Sequence, residues 1–159
     1  VGVGPEIIVR SLQTERIYQE ATPIVIGDAK MLERAAEILD IDASIQVIDK
    51  DSEFETTFGE IACIDLDILP ADLPYGEVSS EAGHAAFEYL RTAIELANEE
   101  KIDAICTAPL NKEALHKGGH VYPGHTEILA ELTDTEDFSM MLSSPKLKVI
   151  HVMRFHAEV

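Results

Sequence analysis

The hydrophobic period changes from one short block of this chain to the next, and that constrains its fold more than any other feature. "PIVIG" (23–27) is a continuous apolar run of strand length. Asp28 then stands as a helix cap, and Met31, Leu32, Ala35, Ala36 and Leu39 recur at helical spacing. "SIQVID" (44–49) and "EIACIDL" (60–66) read as two further strands separated by a polar stretch. The Pro/Gly-rich loop 69–79 ends at Ser79 and Ser80, both suited to cap a long Ala-rich helix over about 80–99. In that helix Ala82, Ala86, Ala93 and Ala97 would allow close packing.

At the front, Gly4-Pro5 and Glu6 open a helix whose apolar face is Ile7, Ile8 and Leu12. Further along, "DAICTAP" (103–109) reads as a strand and "NKEALHK" (111–117) as a short helix closed by Gly118-Gly119. "FSMML" and "LKVIHVM" read as two last strands. Strands alternating with helices predict an α/β fold with a largely parallel sheet and flanking helices.

With 159 residues, 46% of them apolar, the chain is expected to form one ordinary globular unit, with no separate second domain within it. No apolar stretch approaches the ~20 residues of a membrane helix. Cys63 and Cys106 each sit in an apolar run and are expected to be buried, reduced thiols, which fits a cytoplasmic protein. The formal net charge is −18, from 30 acidic residues against 12 Lys and Arg. Such a balance argues against a nucleic-acid backbone as partner and opposes steering of an anionic substrate, so an anion site has to be built locally.

Two places offer one. Asn111 and Lys112 follow the expected end of the 103–109 strand, where ligands bind in open α/β sheets. Lys112 at a helix start can hold a phosphate or carboxylate; equally, Asn111 is a plain helix cap and Lys112 a solvated side chain. In "YPGHTEIL" (122–129), His125 and Thr126 lie just before or within a first helical turn, able to donate to an anion. Here too the alternative is Thr126 as an N-cap and His125 as a loop residue. Two anion-competent helix starts so close in sequence favour a phosphate site. His116 and His120 have the spacing of a helical metal pair, but Gly118-Gly119 should end the helix between them. His84 is expected on the surface and His151 in the core.

"GVGPEIIVRSL" (2–12), "GEVSSEAGHAAFEYLRTAIELA" (76–97), "TAPLNKEAL" (107–115), "YPGHTEILAELT" (122–133) and "MMLSSPKLKVIHV" (140–152) occur in one order. Together they closely resemble the 4-hydroxythreonine-4-phosphate dehydrogenase family of pyridoxal phosphate biosynthesis. The resemblance implies a fold like isocitrate and isopropylmalate dehydrogenases, a homodimer, and oxidation with decarboxylation of a phosphorylated hydroxy acid. It implies NAD and a divalent metal (zinc, magnesium or cobalt) as cofactors, and a branch acting on phosphates of threonate or erythronate. His125 and Thr126 fall on the family's substrate-binding His-Thr pair; Lys112 is the candidate catalytic residue; no cofactor-binding residue is identified.

The departures are equally specific. Only Val1 stands where the family has Gly-Asp-Pro-Ala, and after "KVIHV" the chain reads Met153-Arg154-Phe155 in place of Thr-Thr-His. His156 comes one residue late for the family's first metal ligand, and in a strand that slip reverses the face. The chain is accordingly expected to be the N-terminal part of a longer enzyme, inactive alone, with most metal ligands elsewhere. An acyl-phosphate acyltransferase of related fold, or a non-catalytic truncated remnant, are the alternatives.

Overall fold

The computed structural model describes residues 2–151. Strands β1 (Val25–Gly27), β2 (Ser44–Val47) and β3 (Glu60–Asp65) form a parallel sheet in the order β1-β3-β2. β3 is central: Ile61 through Ile64 are all buried and apolar, as a strand covered on both faces requires. β2 exposes most of its side chains, as suits an edge.

Helices α1 (Gly4–Ser11), α2 (Glu15–Glu20) and α3 (Ala29–Leu39) close one core on this sheet, built from Val9, Leu12, Leu32, Ala35, Ile61 and Cys63. Val9 is fully buried in α1 and Ile7 is exposed, a one-position rotation of the face expected from Ile7, Ile8 and Leu12. The short α2 was not expected; its Tyr18 hydroxyl donates to the carbonyl of Glu60 at 3.0 Å. Asp28 holds the N-cap position of α3 without capping it. Its carboxylate instead accepts from the backbone N–H groups of Ile68 and Leu69, and Asp65 Oδ1 accepts from Ala29 N at 3.1 Å.

The long helix α4 (Ser80–Asn98) begins as expected, with Ser79 Oγ accepting from Ala82 N at 3.1 Å. It packs against β1, and also against α5 (Lys112–Lys117) and α6 (His125–Leu132). Phe87, Leu90 and Ile94 of α4 form a second core with Leu115 of α5 and Ile128 of α6. The tight crossing of α4 and α5 is made by Gly83, not by the predicted alanines, of which Ala82, Ala86 and Ala97 are only half-buried.

Residues 103–109 are not a strand. An apolar run becomes a strand only when a neighbour takes its N–H and C=O groups, and none among the described residues does. The segment lies instead against the start of α1, where a Cβ on Gly4 would stand 3.4 Å from the Ala108 Cβ. As a result Cys106 is exposed, contrary to expectation, while Cys63 is buried and its thiol pushed up to about 12 by burial and by Asp65 and Asp28. β4 (Met140–Ser143) and β5 (Lys148–His151) pair antiparallel, Met140 opposite His151. Met140, Met141, Leu142, Val149 and Ile150 are exposed on this hairpin. The burial of the His151 side chain, and His156 altogether, lie outside the described residues.

Candidate functional site

The YPGHTE segment supplies a helix start. Gly124, in extended backbone (φ 176°, ψ −166°), is the N-cap of α6 and offers no side chain to cap it. Thr126 is therefore not the cap: His125 and Thr126 are the first two residues of the helix. The N–H groups of a first turn have no intrahelical acceptor and carry the positive end of the helix dipole, the local requirement for holding an anion. Glu127 also lies in that turn, its Oε2 3.6 Å from where a Gly124 Cβ would stand, so the chain sets a carboxylate of its own beside the same N–H groups.

His125 and Thr126 are half-buried. Burial holds the His125 imidazole below its ordinary value, so near neutral pH it is uncharged and offers one N–H rather than a full positive charge. The helix is anchored by Ile128, which is completely buried. Tyr122 braces it from outside: its hydroxyl donates to Glu131 Oε1 at 3.0 Å, and its carbonyl accepts from His116 Nε2 at 2.9 Å. These contacts hold the turn 118–124 to both α5 and α6.

Lys112 is the first residue of α5 and is exposed. Asn111 caps that helix, its Oδ1 accepting from Ala114 N at 2.9 Å. Since 103–109 is irregular, Lys112 does not follow the end of a strand, and the six-residue α5 offers only a weak dipole there. Leu115 and Ile128 dock α5 and α6 on the same core, yet no hydrogen bond or ion pair joins Lys112 to His125 or Thr126 among the described residues.

His116 and His120 do not converge. His116 meets the Tyr122 carbonyl, whereas His120 Nε2 lies 2.9 Å from His84 Nδ1. That His84–His120 pair has no signature in the sequence, because its members are 36 positions apart. Among the described residues no three His, Cys, Asp or Glu side chains gather to hold a metal ion. The described residues by themselves therefore do not fit the divalent metal implied by the resemblance.

Residues 19–157 match the family described as Pyridoxal phosphate biosynthetic protein PdxA. A provisionally named D-threonate 4-phosphate dehydrogenase of Oceanobacillus iheyensis is 74% identical over 152 residues, 95% of this chain and 46% of its own length. The D-threonate 4-phosphate dehydrogenase of Cupriavidus necator is 52% identical, over 95% of this chain and 45% of its own. The solved 4-hydroxythreonine-4-phosphate dehydrogenase of Burkholderia phymatum superposes with a TM-score of 0.88 at 55% identity, covering 96% of this chain and 46% of that one. The corresponding Klebsiella pneumoniae structure gives 0.85 at 44%, over 94% of this chain and 46% of its own. The chain thus spans about half the length of the relatives it matches, and it shares their parallel α/β fold. By sequence over residues 19–157 and by fold, it belongs to the PdxA family of pyridoxal phosphate biosynthetic proteins.

Proposed function

We propose that this chain is the N-terminal part of a dehydrogenase acting on a phosphorylated hydroxy acid, and that it carries the phosphate-binding end of the site. The carrying observation is the start of α6, where a glycine cap leaves first-turn N–H groups without a side-chain acceptor beside a neutral, half-buried His125. In this reading His125 and Thr126 donate to the substrate's phosphate or adjacent oxygens. Lys112 is the residue proposed to support a developing negative charge, reaching in from the start of α5. The similarity to proteins named for D-threonate 4-phosphate favours that acid as substrate, with 4-hydroxythreonine 4-phosphate as the second choice.

The reaction class is oxidation of the substrate hydroxyl with hydride passing to NAD, followed by loss of carbon dioxide. Its cofactor contacts and metal ligands are proposed to come from outside the described residues. The homodimer belongs to the same proposal, for which the exposed apolar side chains of the β4–β5 hairpin offer surface. The proposed setting is the cytoplasm; no helix among the described residues is long and apolar enough to cross a membrane.

Titration of the chain with D-threonate 4-phosphate, followed by amide shifts, tests the site. Shifts centred on His125, Thr126 and Glu127, lost in His125→Ala, are expected; shifts elsewhere only would refute it. In an enzyme restored to the relatives' length, His125→Ala should lower kcat/KM at least about tenfold, some 1.4 kcal/mol of transition-state binding. The 159-residue chain alone is expected to form no NADH.

A further inference from the structure

His84 Nδ1 and His120 Nε2 are 2.9 Å apart, the two rings lie within 10° of parallel, and their centroids are 5.2 Å apart. That centroid distance is the hydrogen bond plus one ring radius on each side. The rings therefore lie end to end, and the two nitrogens point straight at each other. A chelating pair needs lone pairs that converge on an ion about 2.0–2.1 Å from each nitrogen, and a straight 2.9 Å line leaves no room for one. The geometry is that of one N–H donating to one lone pair. Two neutral imidazoles can form it, as can one neutral ring and one imidazolium. Two imidazoliums cannot, because both nitrogens then carry hydrogens and both rings carry charge.

The pair stands under the turn that presents α6. The His120 ring stacks on Phe87 of α4 at 3.8 Å, and the Tyr122 ring faces the same Phe87 at 5.9 Å. Gly118 presses on the α4 backbone so closely that a Cβ there would lie 2.5 Å from His84 N. Within the turn, His120 N donates to the Leu115 carbonyl at 3.1 Å and Tyr122 N to the His120 carbonyl at 3.2 Å. His84 and Phe87 are thus the template on which residues 118–122 lie.

Among the described residues, the charged groups around the pair are few. On α4, Glu88 faces both imidazoles, but its Oε2 is held by Arg91 Nη2 at 2.6 Å, which keeps the carboxyl below its usual range. From α5, His116 is engaged with the Tyr122 carbonyl and Lys117 with Glu113 at 2.9 Å. From α6, Glu131 is taken by the Tyr122 hydroxyl. Burial and the neighbouring His84 lower the His120 value, with Glu88 opposing them.

We propose that His84 and His120 share a single proton and act as positioning residues, a latch that holds the 118–124 turn on α4 and lets go when both rings are protonated. Its bearing on substrate binding rests on the reading of α6 as an anion site; the latch itself does not.

Imidazole ¹⁵N spectra of the 159-residue chain, recorded between about pH 8 and pH 5 on either side of the ordinary value of about 6.5, test it. At the alkaline end one facing nitrogen should be protonated and the other bare, and the pair should take up two protons in separated steps. The second step should speed exchange of the His120 and Tyr122 amides at least about tenfold beyond the intrinsic pH effect, as local opening requires. His84→Gln keeps a polar partner for His120 that takes up no proton, and should abolish that acid step while leaving exchange slow. Sulfate, which does not titrate in this range, probes the site: its affinity at the His125–Glu127 amides should fall across the second step in the parent chain relative to His84→Gln. Independent titration of the two rings at ordinary values, or exchange unchanged through both steps, would overturn the latch. Coupled titration and faster exchange without sulfate binding at any pH would uphold the latch and overturn the anion-site reading instead.

Discussion

A Cβ placed on Gly83 would stand 1.8 Å from the carbonyl oxygen of Ala114, so α4 and α5 cross with their backbones in contact. Two effects oppose each other in Gly83→Ala. Helix propensity favours alanine by about 1 kcal/mol. Overpacking costs about 1–3 kcal/mol when the obstacle can yield, and here it is backbone, also 2.7 Å from Leu115 N. The steric cost wins. Gly83→Ala should therefore lower stability by roughly 2 kcal/mol in chemical denaturation, and an unchanged midpoint would show that the helices can part without cost.

Asp28, 2% exposed, ties the end of β1 to the loop after β3 by accepting from Ile68 N and Leu69 N. Asparagine offers one oxygen where the carboxylate offers two, and turns an NH₂ toward the remaining N–H. Asp28→Asn should cost about 1–3 kcal/mol, the desolvation penalty of one orphaned donor. Amide exchange at Ile68 and Leu69 would report it locally. A second signature is the Tyr89 phenol, held up by burial and by the charge of Asp28, which should fall in the variant.

Glu127 sits in the first turn of α6, where it competes with any incoming anion for the positive end of the helix. Glu127→Gln removes the competing charge and keeps the shape. Phosphate binding at His125 and Thr126 should tighten about two- to fivefold, the range of a single charge near a helix terminus. Calorimetric titration checks this, and weaker binding in Glu127→Gln would mean that the carboxylate organises the site rather than opposing it.

The acid limb of stability should carry the mark of two imidazoles. His120 and His125 both have values lowered in the folded chain, chiefly by burial, so the unfolded chain binds more protons as pH falls below about 6.5. Their stabilisation is fully present above that point and declines as pH falls through it toward the folded values. Relief of the −18 net charge works in the opposite direction. Comparing melting temperatures of the parent and His120→Gln between neutral and mildly acid pH isolates the imidazole: the variant should lose less stability on acidification. An equal or steeper loss would contradict the sign.

An anionic ligand should raise the His125 value by favouring the charged ring. Phosphate binding at α6 is then accompanied by proton uptake at that residue, visible as a pH-dependent binding heat in buffers of different ionisation enthalpy. His125→Gln should bind with less uptake. Identical uptake in both would place the proton elsewhere.

Much of the architecture was legible locally. Periodicity and caps predicted β1, β2, β3, α3 and α4 close to where they lie, and Ser79 and Asn111 cap their helices as their types and positions suggest. The family motifs were legible for the same reason: they are contiguous strings, and YPGHTE places His125 and Thr126 side by side whatever surrounds them. Sequence alone therefore determined the class of fold, the family, and the helix start on which the functional proposal stands.

Tertiary structure decided what depends on distant partners. Residues 103–109 have the composition of a strand but meet no neighbour among the described residues that accepts their backbone groups, so they are irregular and leave Cys106 exposed. Asp28 looks like a cap, yet two N–H groups forty residues away hold its carboxylate, and Asp65 bonds to the start of α3 in its place. His84 is exposed as its position on α4 predicted, but it is not alone there: the α4–α5 crossing at Gly83 brings His120 to it. Short-range periodicity records which face of an element is apolar; it carries no record of which remote polar group will arrive at that face, because only chain packing sets that distance.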